Sequence, residues 1–85
     1  MSVSGLLISM EEALVLLTVE PMMERQIIDR LRQFPAVRET HFIYGPYDIY
    51  IKVEADSTED IRRMVLDEIR NIPGIRSTMT CFLAE

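Results

Sequence analysis

The sequence predicts an α+β domain in the order β, α, β, β, α, β, with two helices covering one face of a four-stranded antiparallel sheet. Three observations predict it. First, the chain repeats itself: "LRQFPAVRET" (Leu31 to Thr40) and "IRNIPGIRST" (Ile69 to Thr78) match in chemical type at nearly every position, as aliphatic, Arg, amide, apolar, Pro, small, β-branched, Arg, polar and Thr. Second, apolar residues at helical spacing run into each copy. Third, each helical stretch follows an apolar strand-like run ending in Val-Glu, at Glu20 and at Glu54.

Taken in order, strand one is "EALVLLTVE", apolar on both sides: Ala13, Val15, Leu17 and Val19 alternate with Leu14 and Leu16. The first helix carries Met23, Ile27, Leu31 and Phe34 inward and turns Glu24, Arg25, Asp29 and Arg32 outward; the adjacent Met22 and Met23 read as packing at its start. Pro35 ends it, because the residue before a proline is steered out of the α region. Strand two leads to "GPYD", where Gly45 offers a positive φ and Pro46 pre-sets the next one. Strand three places Ile49, Ile51 and Val53 on the helix side and Asp48, Tyr50 and Lys52 on the other. In the second helix Ile61, Val65, Ile69 and Ile72 form the stripe, Ser57 and Asp60 make a capping box with Asp for the usual Glu, and Pro73 ends the element. A last strand completes a ferredoxin-like split βαβ arrangement over residues 12–85, with residues 1–11 as an N-terminal extension.

Helices cover only one face of such a sheet, so Leu14 and Leu16 are left on the open one, with Phe42 and Phe82 as expected apolar neighbours there. A chain of 85 residues buries only roughly 60% of its unfolded surface, so this oily face predicts a homodimer formed sheet to sheet. The net charge of -5 argues against nucleic acid as a direct partner, since phosphate contacts need clustered Lys and Arg. A single Cys, Cys81, allows no internal disulfide and reads as core filling; with one His it forms no zinc site, and no metal or cofactor is expected. No apolar run reaches the roughly 20 residues of a membrane span, and the expected location is a reducing cytoplasm.

Asp48 is the one acid inside "THFIYGPYDIYIKV". Three roles suit a carboxylate at the rim of the open face: solvation, capping of backbone N–H groups, or holding a cation. Strand four adds hydroxyls at Ser77, Thr78 and Thr80, of which Thr78 and Thr80 share a face. A carboxylate that takes an ammonium group, with hydroxyls and backbone N–H groups that take a carboxylate, suits a zwitterion. Threonine is equally an ordinary strand residue.

Three segments in order, "TVEP" (Thr18 to Pro21), "GPYDIYIKVEA" (Gly45 to Ala55) and "IPGIRSTMT" (Ile72 to Thr80), closely resemble one family. The chain looks like a stand-alone RAM domain (regulation of amino acid metabolism), the amino-acid-sensing part of the Lrp/AsnC, or feast/famine, transcription regulators. The resemblance runs from Glu12 to Glu85. It implies sheet-to-sheet dimers gathered into rings, commonly octamers, with amino-acid effectors at subunit interfaces. It places effector contacts on Gly45, Tyr47 and Asp48 of the turn and on Ser77, Thr78 and Thr80 of the last strand. Asp48 would receive the amino group, turn amides and strand-four hydroxyls would orient the carboxylate, and Tyr47 would wall the side-chain pocket. Family members carry an N-terminal helix-turn-helix, whereas here only a short lead-in precedes strand one. The expectation is a module that binds no operator alone and acts through its effector or by co-assembly with full-length regulators.

Other classes fit less well. A dimeric ferredoxin-like enzyme needs a base or nucleophile, but His41 reads as a packed or surface residue and Cys81 has no activating partner near it. The same fold reads RNA through sheet aromatics, here Phe42, Tyr50 and Phe82, yet basic residues do not interleave with them. An assembly adaptor without a ligand is the remaining alternative. The helix arginines, Arg25, Arg30, Arg32, Arg62 and Arg63, read as solvated partners of nearby acids.

Overall fold

The computed structural model describes residues 10–83. Its elements are β1 (Glu11–Val19), α1 (Glu24–Leu31), β2 (Val37–Phe42), β3 (Ile49–Ala55), α2 (Thr58–Met64) running on into a π-helical turn (Val65–Ile69), and β4 (Ile75–Phe82). The strands form one antiparallel sheet in the order β2-β3-β1-β4. This is the ferredoxin-like fold. Most of the N-terminal extension lies outside the described residues, and β1 already includes Glu11.

The core is the layer between sheet and helices. Ala13, Val15, Leu17 and Val19 of β1 and Ile49, Ile51 and Val53 of β3 pack against Ile27, Ile28 and Leu31 of α1 and against Ile61, Val65, Ile69 and Ile72 of the second helix. Each large side chain so buried stabilises the fold by about 1.5–3 kcal/mol. The second stripe is buried as its spacing predicts. On α1 only Ile27 and Leu31 of the expected four are fully buried; Met23 and Phe34 sit at the margin, and Ile28 widens the face beside Ile27.

The π turn has a cause in the spacing. Residues four apart drift by about 40° per step on a helix of 3.6 residues per turn. Ile61, Val65 and Ile69 are spaced in just this way, and the wider turn, closed by Arg70 N–H onto the Val65 carbonyl at 3.0 Å, keeps the last two on the core. At the start of α2, Ser57 is extended and its hydroxyl accepts the Asp60 N–H at 3.1 Å. The Asp60 carboxylate lies 3.7 Å from Arg63, in an i,i+3 pair.

The sequence repeat reappears as reciprocal contacts. Glu54 N–H donates to the Ala36 carbonyl at 2.9 Å and Glu20 N–H to that of Gly74 at 2.7 Å. The two echoed arginines are the residues skipped in the two register shifts: β2 pairs Val37 and Glu39 across Arg38, and β4 pairs Ile75 and Ser77 across Arg76. Each then reaches the Val-Glu acid of the other half, Arg38 to Glu54 at 3.3 Å and Arg76 to Glu20 at 3.6 Å.

These bulges correct three expectations, since residues directly opposite in an antiparallel pair share a face. Phe42 pairs with Ile49 and Phe82 with Ala13, so both lie on the helix side and not beside Leu14 and Leu16. They are capped by helix arginines, Arg25 at 5.6 Å from the Phe42 ring centre and Arg62 at 5.8 Å from that of Phe82. Cys81 pairs with Leu14 and is exposed on the open face, not core filling. Met22 is 89% exposed in a left-handed turn conformation, φ 72°, and packs nothing at the helix start.

Candidate functional site

The turn before β3 is shaped by its glycine and anchored by its acid. Gly45 has φ 128°, a region L side chains rarely occupy. Ile43 N–H donates to the Asp48 carbonyl at 3.0 Å, and Asp48 N–H to the Leu17 carbonyl at 2.8 Å. The β1–β3 ladder stops at Leu17, which leaves the Val19 N–H beyond it. Asp48 Oδ2 accepts that N–H at 2.9 Å. The capping role therefore is realised, and the carboxylate turns onto the end of β1 instead of joining Tyr50 and Lys52 on the open face. From there it borders a cleft of about 440 Å³ that it shares with Glu24, Arg25, Phe42, Ile43 and Tyr44.

Tyr47 is turned differently. Its hydroxyl donates to Met79 Sδ at 3.5 Å, so the side chain reaches across β1 to the far edge strand. Met79 opposes Leu16 on the open face. Leu14 and Leu16 there are half-buried, flanked by Tyr50, Lys52 and a 47% exposed Met79. His41 is an exposed residue of the same face, stacked on Tyr50 and 3.2 Å from Glu39.

The β4 hydroxyls divide. Ser77 bonds the Thr18 hydroxyl opposite it, on the open face. Thr78 and Thr80 oppose Leu17 and Val15 and so face the helices. They line a second cleft, about 490 Å³, between β4 and the second helix, together with Arg62, Arg70, Arg76 and Phe82, and Ser77 also reaches its border. Within one chain, then, Asp48 and the threonine pair border separate clefts with β1 between them. None of the three arginines was read as a site residue from sequence: Arg62 was expected only as a solvated partner of nearby acids, Arg70 and Arg76 were visible only as part of the repeat, and the place of Arg76 depends on the bulge. No group of three His, Cys, Asp or Glu among the described residues is placed to hold a metal ion. None of the described helices is long and apolar enough to cross a membrane.

Residues 12–85 match the family model described as the Lrp/AsnC ligand binding domain. An uncharacterized HTH-type transcriptional regulator of Pyrococcus abyssi is 34% identical over 71 residues, which cover 80% of this chain and 47% of that one. The chain thus spans about half the length of the curated regulators it matches. Among solved structures, FFRP-DM1 superposes with a TM-score of 0.84 at 32% identity, covering 88% of this chain and all of that one. AsnC of E. coli shares the fold, with a TM-score of 0.84 at 21% identity over the whole chain and 57% of that protein. A shorter match, 39% over 51 residues, is to a homocitrate synthase of Sulfurisphaera tokodaii, where it spans 11% of the enzyme. The fold, the matched span and the identity to these regulators agree, and the chain belongs to the Lrp/AsnC family as a ligand-binding domain.

Proposed function

We propose that the chain is an effector-binding and assembly module in transcription regulation, and that its effector is an amino acid. The observation that carries this reading is the placement of Asp48. One of its oxygens is fixed by the Val19 N–H, which holds the carboxylate rigid at the mouth of a cleft, ready for an ammonium group. Ser77, Thr78 and Thr80 border a different cleft of the same chain, so a complete site with Gly45 and Tyr47 at its rim would need a second copy to bring the two groups together. A regulator of Neisseria meningitidis that shares the fold at 15% identity is an L-Met complex, which supports the ligand class. The half-buried leucines of the open face support a homodimer formed sheet to sheet, with higher rings or mixed assembly with full-length regulators built on that dimer.

Because its HTH-type relatives are regulators, and because the homocitrate synthase match covers so small a part of that enzyme, a regulatory attachment fits better than catalysis. A calorimetric screen of the protein amino acids tests the reading. Binding of one of them, lost in Asp48→Ala while the assembly stays intact, is the expected result. No binding by any of them to an intact assembly would reduce the module to an adaptor.

A further inference from the structure

The cleft between β4 and the second helix carries a charge that the amino-acid reading does not use. This chain has a net charge of -5 and only nine basic residues, yet three of them, Arg62, Arg70 and Arg76, border this one cleft, and no acid lines it. Two of the three are partly engaged, Arg62 with Glu59 at 3.4 Å and Arg76 with Glu20 at 3.6 Å. Arg70 has no ion-pair partner among the described residues. The opposite edge of the sheet shows the contrast: its cleft is lined by two acids, Glu24 and Asp48, against one arginine.

The rest of the lining is what a small organic ligand needs. Thr78 and Thr80 offer hydroxyl donors, and Leu66 and Phe82, 49% and 36% exposed, offer an apolar wall. The volume of about 490 Å³ falls in the range of small-molecule sites. Guanidinium groups bind carboxylates and phosphates in pairs of parallel hydrogen bonds. Three of them beside one acid-free cleft make its wall locally positive on an acidic chain, which favours an anion there.

We propose that this cleft is a binding site for a small organic polyanion, a molecule with two or more carboxylate or phosphate groups on a short apolar frame. Arg70 and Arg76 take the acidic groups, the threonine hydroxyls orient them, and the frame lies on Phe82 and Leu66. The site stands on one edge of one chain and does not rest on Asp48, although it shares Thr78 and Thr80 with the effector seam. Because the two sites share Thr78 and Thr80, a polyanion bound there competes with the amino acid.

The test is calorimetry on the full chain at low ionic strength with citrate, 2-oxoglutarate, pyrophosphate and acetate. The expected result is saturable binding of at least one polyanion, weakened about tenfold or more in Arg70→Gln and in Arg76→Gln, and unchanged in Asp48→Ala. Both arginines are exposed, so circular dichroism of the variants should match the parent. Binding of citrate against pyrophosphate separates carboxylate from phosphate ligands. The proposal is overturned if acetate binds as well as the polyanions, if the arginine variants bind normally, or if Asp48→Ala abolishes binding and so assigns the anion to the effector seam. It is equally overturned if no polyanion binds and the arginine variants instead shrink the assembly, which would make the cleft a subunit contact.

Discussion

Asp48 shows how one carboxylate serves folding and, on the proposed reading, would serve recognition as well. Its hydrogen bond to the Val19 N–H closes the end of β1 where the β3 ladder has run out. Asp48→Ala should lower stability by about 1–2 kcal/mol in denaturant titration, because a partly buried backbone donor loses a charged acceptor. Asp48→Asn, which keeps an acceptor oxygen, should restore most of that stability and none of the ammonium binding. Comparing the two variants separates the structural share from the functional one. Met22 makes the opposite point: it holds φ 72° with its side chain in solvent and gains no contact that offsets the strain. Left-handed backbone costs an L-residue roughly 1–2 kcal/mol, so Met22→Gly should raise the melting temperature.

At the scale of the element, the N-cap of α2 and the glycine of the turn before β4 are the sensitive points. Ser57→Ala removes the acceptor for Asp60 N–H and should cost about 1 kcal/mol in thermal or chemical unfolding. Gly74→Ala should cost more, roughly 1–3 kcal/mol, since Gly74 has φ 99° and an added Cβ would meet the Met23 methyl at 2.8 Å. Elements buried on one clear face were legible from sequence: alternation placed β1 and β3, and the stripe of Ile61, Val65, Ile69 and Ile72 placed the second helix. The edge strands were not. In "VRETHF" and "IRSTMTCF" neither face is fully buried, so alternation does not say which side a residue takes. The register shifts at Arg38 and Arg76 decide it, and they put Phe42 and Phe82 on the helix side of the sheet, still partly exposed. The same gap explains why Gly45, Tyr47, Asp48, Ser77, Thr78 and Thr80 could be named as a set, while their division between two clefts and the open face could not. It also hid the arginine cleft, whose residues come from both sides of that bulge.

For the whole molecule, the open face of the sheet dominates. The helices shield one side, and Leu14 and Leu16 on the other are only half covered by Tyr50, Lys52 and Met79. If two copies close over this face, Leu16→Lys should move the population to monomer, read as a halved mass in light scattering across a dilution series. A parent chain that stays monomeric at high concentration would remove the dimer and the seam built on it. The matching contacts of the two halves, Arg38 with Glu54 and Arg76 with Glu20, argue that the monomer itself is organised about a rough two-fold axis. Each of these pairs is exposed and contributes little energy alone. Their value lies in fixing where each edge strand skips a residue.

Tyr47 joins these scales. Its ring starts in the Gly45–Asp48 loop, and its hydroxyl ends on Met79, which stands on the surface where a second molecule would press. If an effector sits in the loop and a second copy covers Met79, this single contact would join ligand site and interface through one side chain. Tyr47→Phe would then keep the ring and Met79 in place, remove only the hydroxyl contact, and make effector affinity independent of assembly, as read by calorimetry across a dilution series.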